Sequence, residues 1–343
     1  MLSGLLSGAI PFLTSAQDDM NVVRPALPKV GLPKSYPPIG DCNGAKGISP
    51  QCRSQESAYS ETSSTSGYQV YIVDIAVNGR SAQHLLSKYP LGIGSTNSIN
   101  EQGFTAPKDF DHYPQANVHT QWPGNGSRGD PIFDAFTAAN VPVSSSNVNV
   151  ENTTRKSGCE FLSMIGQSYT VCHLLRANIN IEPGNIPFNS LIGNAIDAGV
   201  GRTAARPCGL TYTPLHFDPP VTNCSAITTT KVGPDDPAKR SCILQTGTIH
   251  KLTQLSKVPY IMITGEASPH ITYDHCFVEY CKQMGLHNYQ WIKLADIGFK
   301  GNAHFMFLEN SNQDIAAAIN YGLAKLSRSP AAPGHPSLPI AVK

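Results

Sequence analysis

Apolar residues in this chain are concentrated in short runs, separated by longer polar and proline-rich stretches. The runs of strand length are YQVYIVDIA at Tyr68–Ala76, CEFLSMI at Cys159–Ile165, NINI at Asn178–Ile181, VPYIMIT at Val258–Thr264 and YQWIKL at Tyr289–Leu294. The continuous apolar and β-branched run at Tyr68–Ala76 is typical of a strand that is buried on both faces of a parallel sheet, and the other runs have strand length. We therefore predict strands at these positions.

Helix-like segments alternate with the predicted strands. We predict helices at Pro131–Ala139, Val171–Arg176, Tyr273–Met284 and Asp314–Leu326. In the third of these, the apolar residues Phe277, Val278, Cys281 and Met284 follow helical spacing and are expected in the core. Strands that alternate with helices predict an α/β fold with a doubly wound, mostly parallel sheet.

Several segments interrupt this alternation. Residues 1–67 comprise a signal-like apolar start, Leu2–Leu13, and a Pro/Gly/Ser-rich irregular part. Residues 100–157 are mostly polar and are expected to form loops around the predicted helix at Pro131–Ala139. Within a main domain at 68–328, residues 186–256 contain PCG, TPLHFDPP and GPDDP, which we interpret as an inserted cap or lid. Residues 329–343 are expected to form a C-terminal tail.

Composition excludes some classes of partner. The 343 residues are 40% hydrophobic and 14% charged, and the formal net charge is +1, so a large core is possible while nucleic acid is not an expected partner. A small neutral substrate fits this balance better. Because no apolar run reaches 18 residues, we expect no membrane-spanning helix. Composition leaves the oligomeric state open.

Cysteines and glycosylation sequons favour an extracellular route, with the cytoplasm as the alternative. Asn-x-Ser/Thr sequons begin at Asn125, Asn152 and Asn223. The chain has nine cysteines and no CxxC pair, which favours disulfides over a metal site. The plausible bridges are Cys42 with Cys52, and two of Cys208, Cys224 and Cys242. The odd total leaves at least one thiol unpaired.

Ser168 is the candidate nucleophile, because it follows the apolar run at Cys159–Ile165 within Gly166-Gln167-Ser168-Tyr169-Thr170. A sharp strand-to-helix turn that exposes a serine hydroxyl needs small residues two positions before and after the serine. Gly166 meets this requirement well, and the β-branched Thr170 meets it less well. A helix N-cap is the alternative interpretation of Ser168.

Candidate acids and a candidate base follow other predicted strands. A serine hydroxyl needs a base, and the base needs an acid that fixes its tautomer. Glu182 follows the strand at Asn178–Ile181, Glu266 follows the strand at Val258–Thr264, and His304 follows the last strand. Ligands collect at the carboxyl ends of strands in such sheets, and the order serine, acid, histidine is that of α/β-hydrolases.

Two motifs make the resemblance to a known family specific. IEPG at 181–184 and GNxHxM at 301–306 resemble the α/β-hydrolase family of bacterial esterase 713 and its fungal relatives, over roughly residues 68–328. The resemblance implies cleavage of carboxylic esters with no cofactor and no metal. It assigns the nucleophile to Ser168, the base to His304 and the acid to Glu182. General α/β-hydrolase habit instead nominates Glu266, with Asp274 as a more distant reserve.

The chain departs from that family in its oxyanion hole. Family members carry a His-Gly loop on an earlier strand, and no such loop is found upstream of Tyr68. The backbone N–H of Tyr169 is then the obvious oxyanion donor, and losing one donor typically costs about 10²–10³ in turnover. Only nine residues separate Ser168 from Asn178, so the helix behind it is expected to be short. The alternative function is an impaired or inactive homologue that binds a small molecule.

Overall fold

Helices and strands of the protein were located in a computed structural model, which describes residues 12–15, 68–71, 85–92, 96–138, 140, 144–165, 178–183, 186–191 and 202–328. The α-helices described are α1 (Asn97–Asn100), α2 (Pro131–Ala138), α3 (Asn147–Ile165), α4 (Asp274–Gln283) and α5 (Asn312–Arg328). The strands described are β1 (Phe12–Ser15), β2 (Tyr68–Tyr71), β3 (Asn178–Ile181), β4 (Asn189–Leu191), β5 (Arg202–Ala204), β6 (Thr229–Val232), β7 (Cys242–Gln245), β8 (Tyr260–Thr264) and β9 (Tyr289–Lys293).

A parallel sheet with the order β3–β8–β9 forms the centre of the described fold. β8 pairs with β3 on one side, where Ile181 lies opposite Ile263, and with β9 on the other, where Ile292 lies opposite Ile263. Parallel neighbours require a crossover connection, and α4 supplies it between β8 and β9. The arrangement is therefore of the α/β class.

The two faces of β8 pack into different hydrophobic clusters. Ile261 and Ile263 point to a cluster that includes Ile315 of α5, while Met262 points to a cluster that includes Tyr280 of α4. Successive side chains of a strand alternate between faces, so a strand covered on both sides must be apolar at every position. This explains why the middle of β8, Ile261–Ile263, is an unbroken apolar run.

Many of the predicted elements are confirmed with shifts of one or two residues at their ends. The strands at Asn178–Ile181, Val258–Thr264 and Tyr289–Leu294 correspond to β3, β8 and β9. The helices at Pro131–Ala139, Tyr273–Met284 and Asp314–Leu326 correspond to α2, α4 and α5. The helix predicted at Val171–Arg176 lies outside the described residues.

The strand predicted at Cys159–Ile165 is wrong, because these residues form the end of α3. The loop expected for residues 100–157 is also wrong from Asn147 onward, where α3 begins, and 3₁₀ and π turns occupy much of 101–118. A seven-residue apolar run fits a strand or one flank of a helix equally well, and the 12 preceding, mostly polar residues extend it to helix length.

The first predicted strand has a different partner from the one expected. Tyr68–Tyr71 pairs antiparallel with Phe12–Ser15, whereas we had predicted that it joins the parallel sheet. A local apolar pattern specifies strand character but not which strand lies beside it. The remainder of this predicted strand, residues 72–76, lies outside the described residues.

The segment between β3 and β8 contains two short antiparallel hairpins, β4–β5 and β6–β7. Disulfides link Cys208 with Cys224 and Cys242 with Cys276. The first is among the predicted combinations, while the second joins β7 to α4 and was not predicted. Cys42 and Cys52 lie outside the described residues.

None of the helices in the described part of the chain combines the length and the apolar character that a membrane crossing requires.

Candidate active site

The carboxyl ends of β3, β8 and β9 meet at one edge of the sheet because the three strands are parallel. Glu182 directly follows β3, and Gly265 directly follows β8. The chain that leaves β9 passes through a 3₁₀ turn, Leu294–Ile297, and a left-handed Gly298 before it reaches His304. Strand ends of this kind are where ligands bind in open α/β sheets.

The side-chain oxygens of Glu182 are hydrogen-bonded to several parts of the site. The backbone N–H of Gly265 donates to Oε1 at 2.6 Å, and the hydroxyl of Ser268 donates to Oε2 at 2.5 Å. The Nδ1–H of His304 donates to the same Oε2 at 3.3 Å. The Glu182 side chain is only 1% exposed, so these protein donors replace water around its oxygens.

Glu182 also has an unusual backbone conformation, with φ of 51°. A residue other than glycine in the left-handed region costs about 1–2 kcal/mol. Such strain is typical of functional sites, where the surrounding structure fixes it. Here, the bond from Glu182 N–H to the carbonyl of Ile263 on β8 anchors the turn that points the carboxylate at Gly265.

His304 is held on one side and unpaired on the other. Nδ1 is bound to Glu182, whereas Nε2 is buried and has no hydrogen-bond partner among the described residues. A buried polar atom without a partner costs about 1–3 kcal/mol, and such atoms are rare enough to need an explanation. This pattern fits a base whose second nitrogen serves a reacting group.

Burial shifts the pKa values of His304 and Glu182 in opposite directions. Burial lowers the pKa of His304 well below its usual range, and the charge on His270 lowers it further, so the ring is neutral near pH 7. Burial raises the pKa of Glu182, and His270, Gly265 and Ser268 oppose that rise. A neutral imidazole is the resting state that a general base needs.

A second buried carboxylate, Glu309, holds the loop that carries His304. Its oxygens accept hydrogen bonds from the N–H of Ala303 at 2.9 Å and from Nδ2 of Asn302 at 2.7 Å. Nε2 of His119 lies 3.0 Å from the same carboxylate. Because Ala303 directly precedes His304, this contact fixes the backbone from which the imidazole projects.

His270 stacks on His304 within the site. The two ring centroids are 4.8 Å apart with an interplanar angle of 13°. Nδ1 of His270 lies 3.2 Å from Oδ1 of Asp274 and 3.6 Å from Oε2 of Glu182. For His270 and His275, which flank Tyr273 near a strand end, the sequence leaves open an approach to the pocket or a surface position, the default for histidine. His270 lies in the site, with a side chain that is 4% exposed.

Besides His270, aromatic side chains pack around the His304 ring. The ring of Phe104 lies 4.8 Å from the His304 ring, and Phe305 lies 4.9 Å from Phe104. Phe136 lies 5.0 Å from Phe305, and Trp122 lies 5.8 Å from Phe136. These rings exclude water from one side of the imidazole, which strengthens the electrostatic interactions of the site.

The sequence-predicted residues have different outcomes in the structure. Glu182 and His304 are brought together, while Ser168 and Tyr169 lie outside the described residues. Glu266 does not contact His304 in the described hydrogen bonds; its Oε2 accepts from the N–H of Gly301 at 2.8 Å. The strand expected before Ser168 is helical, so the predicted strand-to-helix turn lacks its first half.

Sequence reasoning missed Ser268, Gly265 and Glu309. A signal existed for Ser268, because Ser-Pro is a common helix start and Ser268 does cap the 3₁₀ turn Pro269–Thr272. Its hydroxyl accepts from the His270 N–H at 3.1 Å while it donates to Glu182. No local signal marks Glu309, whose partners are set by the fold of its loop.

Some of these side chains are close enough together to suggest a metal site. Ligand atoms of Glu182, His270 and His304 lie within 4.8 Å of one another, as do those of Cys242, His275 and Cys276. The two cysteines form a disulfide and have no thiolate to offer. In the first group, the Nδ1 atoms of both histidines face carboxylates at hydrogen-bond distance, so we interpret it as a hydrogen-bonded network.

A parallel sheet whose strand ends carry a buried carboxyl–histidine pair defines an α/β protein with a candidate acid–base site. A scan of the chain against protein-family models gives no match. The chain is 33% identical over 274 residues to "Probable secreted lipase phiG" from Fungal sp. (strain ATCC 74256), which covers 74% of this chain and 71% of the relative. The chain belongs to the family of this fungal protein.

Gly265 provides a test of the packing between the end of β8 and the His304 loop. A Cβ at this position would lie 2.6 Å from the carbonyl oxygen of Asn302 and 2.8 Å from that of Ala303. We expect Gly265→Ala to displace the loop and to lower the free energy of unfolding by about 1–3 kcal/mol in denaturant titration. Gly158→Ala is the matched control, because its Cβ meets nothing within 4 Å on helix α3. Equal stability of the two variants would contradict this packing.

Proposed function

We propose that the protein is a serine hydrolase that cleaves carboxylic esters through an acyl-enzyme intermediate. In this proposal Ser168 is the nucleophile, His304 the general base and Glu182 the acid that orients it. The observation that carries the proposal is the state of His304. Its Nδ1 is bound to a buried carboxylate, while its Nε2 is buried and has no partner among the described residues.

Family membership supports the reaction class. The named relative is described as a probable secreted lipase, and lipases are ester hydrolases. The geometry of Glu182 and His304 supports the same chemistry independently, because imidazole with an Nδ1–H to carboxylate bond is the base of acyl-transfer sites on many folds. A small-molecule ester is therefore the proposed substrate.

The proposed reaction follows from the proton positions. Nε2 of His304 takes the proton of the Ser168 hydroxyl as its oxygen attacks the ester carbonyl, and Glu182 stabilises the resulting imidazolium. The imidazolium then gives the proton to the leaving alkoxide, which leaves the acyl group on Ser168. Water attacks the acyl-enzyme with His304 again as base, which releases the carboxylic acid and restores the serine.

The oxyanion hole has a single candidate donor in this proposal. The N–H of Tyr169 would donate to the developing oxyanion, as the N–H after the nucleophile does in α/β-hydrolases.

We propose an α/β-hydrolase fold for residues 68–328, with residues 186–256 as an inserted cap. The parallel β3–β8–β9 sheet and the hairpins between β3 and β8 support this architecture.

Secretion is part of the proposal. The relative carries the description secreted, and the disulfides Cys208–Cys224 and Cys242–Cys276 suit an oxidising compartment. The asparagines of all three sequons are exposed on the described surface. Exposure is what an oligosaccharide at these positions requires.

A serine-directed fluorophosphonate probe tests the nucleophile. We expect the wild-type protein to be labelled and to hydrolyse a short-chain aryl ester weakly, because the oxyanion hole has few donors. Ser168→Ala should abolish labelling and lower turnover by several orders of magnitude, since triad residues act as a unit. Ser157→Ala, an exposed serine on α3, is the control and should behave as wild type. A folded wild-type protein without Ser168-dependent labelling would instead favour the small-molecule-binding homologue.

The assignment of the acid is tested by paired substitutions. Glu182→Gln should lower kcat by about 10²–10⁴, because a neutral amide neither fixes the tautomer of His304 nor stabilises its charge. Glu266→Gln should lower kcat by less than about tenfold, because an amide oxygen still accepts from Gly301. Circular dichroism checks that both variants are folded. The opposite ranking of kcat would remove Glu182 from the proposed triad.

Secretion is tested by expression in a eukaryotic host. At least one of Asn125, Asn152 and Asn223 should carry an oligosaccharide, seen as a faster-migrating band after glycosidase treatment. A triple Asn→Gln variant serves as the control, because it should show no change on treatment. Intracellular protein without a mobility shift and with fully reduced cysteines would point to the cytoplasm.

A further inference from the structure

His270 occupies a position that the proposed mechanism leaves unused. Its ring stacks on the base His304, and its Nδ1 faces two carboxylates, at 3.2 Å from Asp274 and 3.6 Å from Glu182. The side chain is buried, and the Ser268 hydroxyl that binds Glu182 also accepts from the His270 backbone N–H. A histidine held by this many contacts beside the base and its acid is placed for a role in the reaction.

The proposed mechanism requires Glu182 to be ionised in a buried site, and a cationic His270 would favour that ionisation. Glu182 must be ionised to orient His304, but burial favours the neutral acid and raises its pKa, and the charge of Asp274 raises it further. The donors Gly265 and Ser268 are neutral. Among the described residues, the ion-pair partners of Glu182 are His270 and His304, and His304 must be neutral in the resting base.

His270 is the imidazole of the pair that is placed to carry the charge. Burial alone would lower the pKa of His270, but Glu182 and Asp274 outweigh burial and raise it. For His304 the same burial, together with the charge on His270, lowers the pKa well below its usual range. The pKa values of the two stacked histidines are thus shifted in opposite directions, which favours the cation at His270 and the neutral base at His304.

Other titratable groups that face His270 leave this balance unchanged. The ring of Tyr273 lies 4.8 Å from the His270 ring, and Tyr113 donates its hydroxyl to the carbonyl of Ala267. Burial raises the pKa of both phenols well above their usual range, so they remain neutral. Arg206 interacts with Tyr273 and binds backbone carbonyls of Ile186 and Asn189.

We propose that His270 is a positioning residue: an imidazolium, held by Asp274, that keeps Glu182 ionised and thereby keeps His304 oriented as a neutral base. Asp274 is in turn fixed by the hydroxyl of Thr264, which donates to its Oδ2 at 2.5 Å. The Nε1–H of Trp291 donates to the oxygen of that hydroxyl. The positioning role rests on the proposed ester hydrolysis, whereas the charge state it requires can be measured without turnover.

The pH profile of kcat/KM for an aryl ester distinguishes this role from a structural one. Removing a cation beside a carboxylate raises the pKa of that carboxylate by about 1–3 pH units. In His270→Gln, the acid limb of the profile should therefore move to higher pH by about that amount, with recovery of activity on the alkaline side. His275→Gln, the same change on α4 where the ring binds the carbonyl of Arg240, is the control and should keep the wild-type profile.

NMR gives a readout that does not depend on activity. With ¹³C-labelled glutamate and the Glu182 signal assigned through Glu182→Gln, the carboxyl should titrate about 1–3 pH units higher in His270→Gln than in wild type. In the wild-type protein, the ¹⁵N signals of His270 should be those of an imidazolium at pH 7, and those of His304 should be neutral. This last measurement applies even if His270→Gln fails to fold.

The two proposals fail separately. Absence of Ser168-dependent fluorophosphonate labelling in the wild-type protein would defeat the ester-hydrolase proposal and leave the charge measurements valid. A neutral His270 at pH 7, or an unchanged Glu182 titration in folded His270→Gln, would overturn the role of His270. A uniform loss of activity at every pH, with no displacement of the acid limb, would likewise show a merely structural contribution.

Discussion

The buried carboxylate of Glu182 is the interaction on which the rest of the described structure depends. A carboxylate removed from water costs several kcal/mol unless donors surround it. Three parts of the chain fix it. The turn after β3 binds the carbonyl of Ile263 through the Glu182 N–H, Gly265 at the end of β8 donates to the carboxylate, and His304 donates from its own loop. The register of β3 on β8 therefore has to be correct to the residue for the site to exist, because a slip of one would turn Glu182 away from Gly265.

This dependence explains which parts of the fold were predictable from sequence. β8 was predictable because a strand covered on both faces is largely apolar, as in YIMIT. β3 (NINI) and β9 (YQWIK) mix polar and apolar residues and were predictable from their length and their β-branched and aromatic residues. The end of α3 was not, because an apolar run of seven residues fits both periods. The partner of Tyr68–Tyr71 was not predictable either, since pairing with Phe12–Ser15 joins segments more than 50 residues apart.

The site was predictable only where it follows from strand ends. Glu182 and His304 each follow a strand of one parallel sheet, so their approach to each other could be expected from topology alone. For His270 the sequence left both a surface position and an approach to the pocket open, and in the structure it is buried within the 3₁₀ turn that Ser268 caps. Its spacing of four residues from Asp274 was visible in the sequence, but that spacing alone does not distinguish a surface pair from a buried one.

The arrangement of charges connects the fold to the proposed chemistry. In the charge state that we propose, Glu182 and Asp274 are carboxylates and His270 is an imidazolium, which leaves the buried cluster one negative charge in excess while His304 is neutral. In the proposed reaction, His304 accepts the proton of the nucleophile and the cluster becomes neutral, so the buried region would hold less net charge in the reacting state than at rest. Because uncompensated charge is costly in a water-poor interior, this ordering favours proton uptake by His304 at the moment of attack. His270 without Asp274 would oppose that uptake, and Asp274 without His270 would favour protonation of Glu182. The two residues are therefore best understood as one unit, in which each cancels the unfavourable effect of the other on the base.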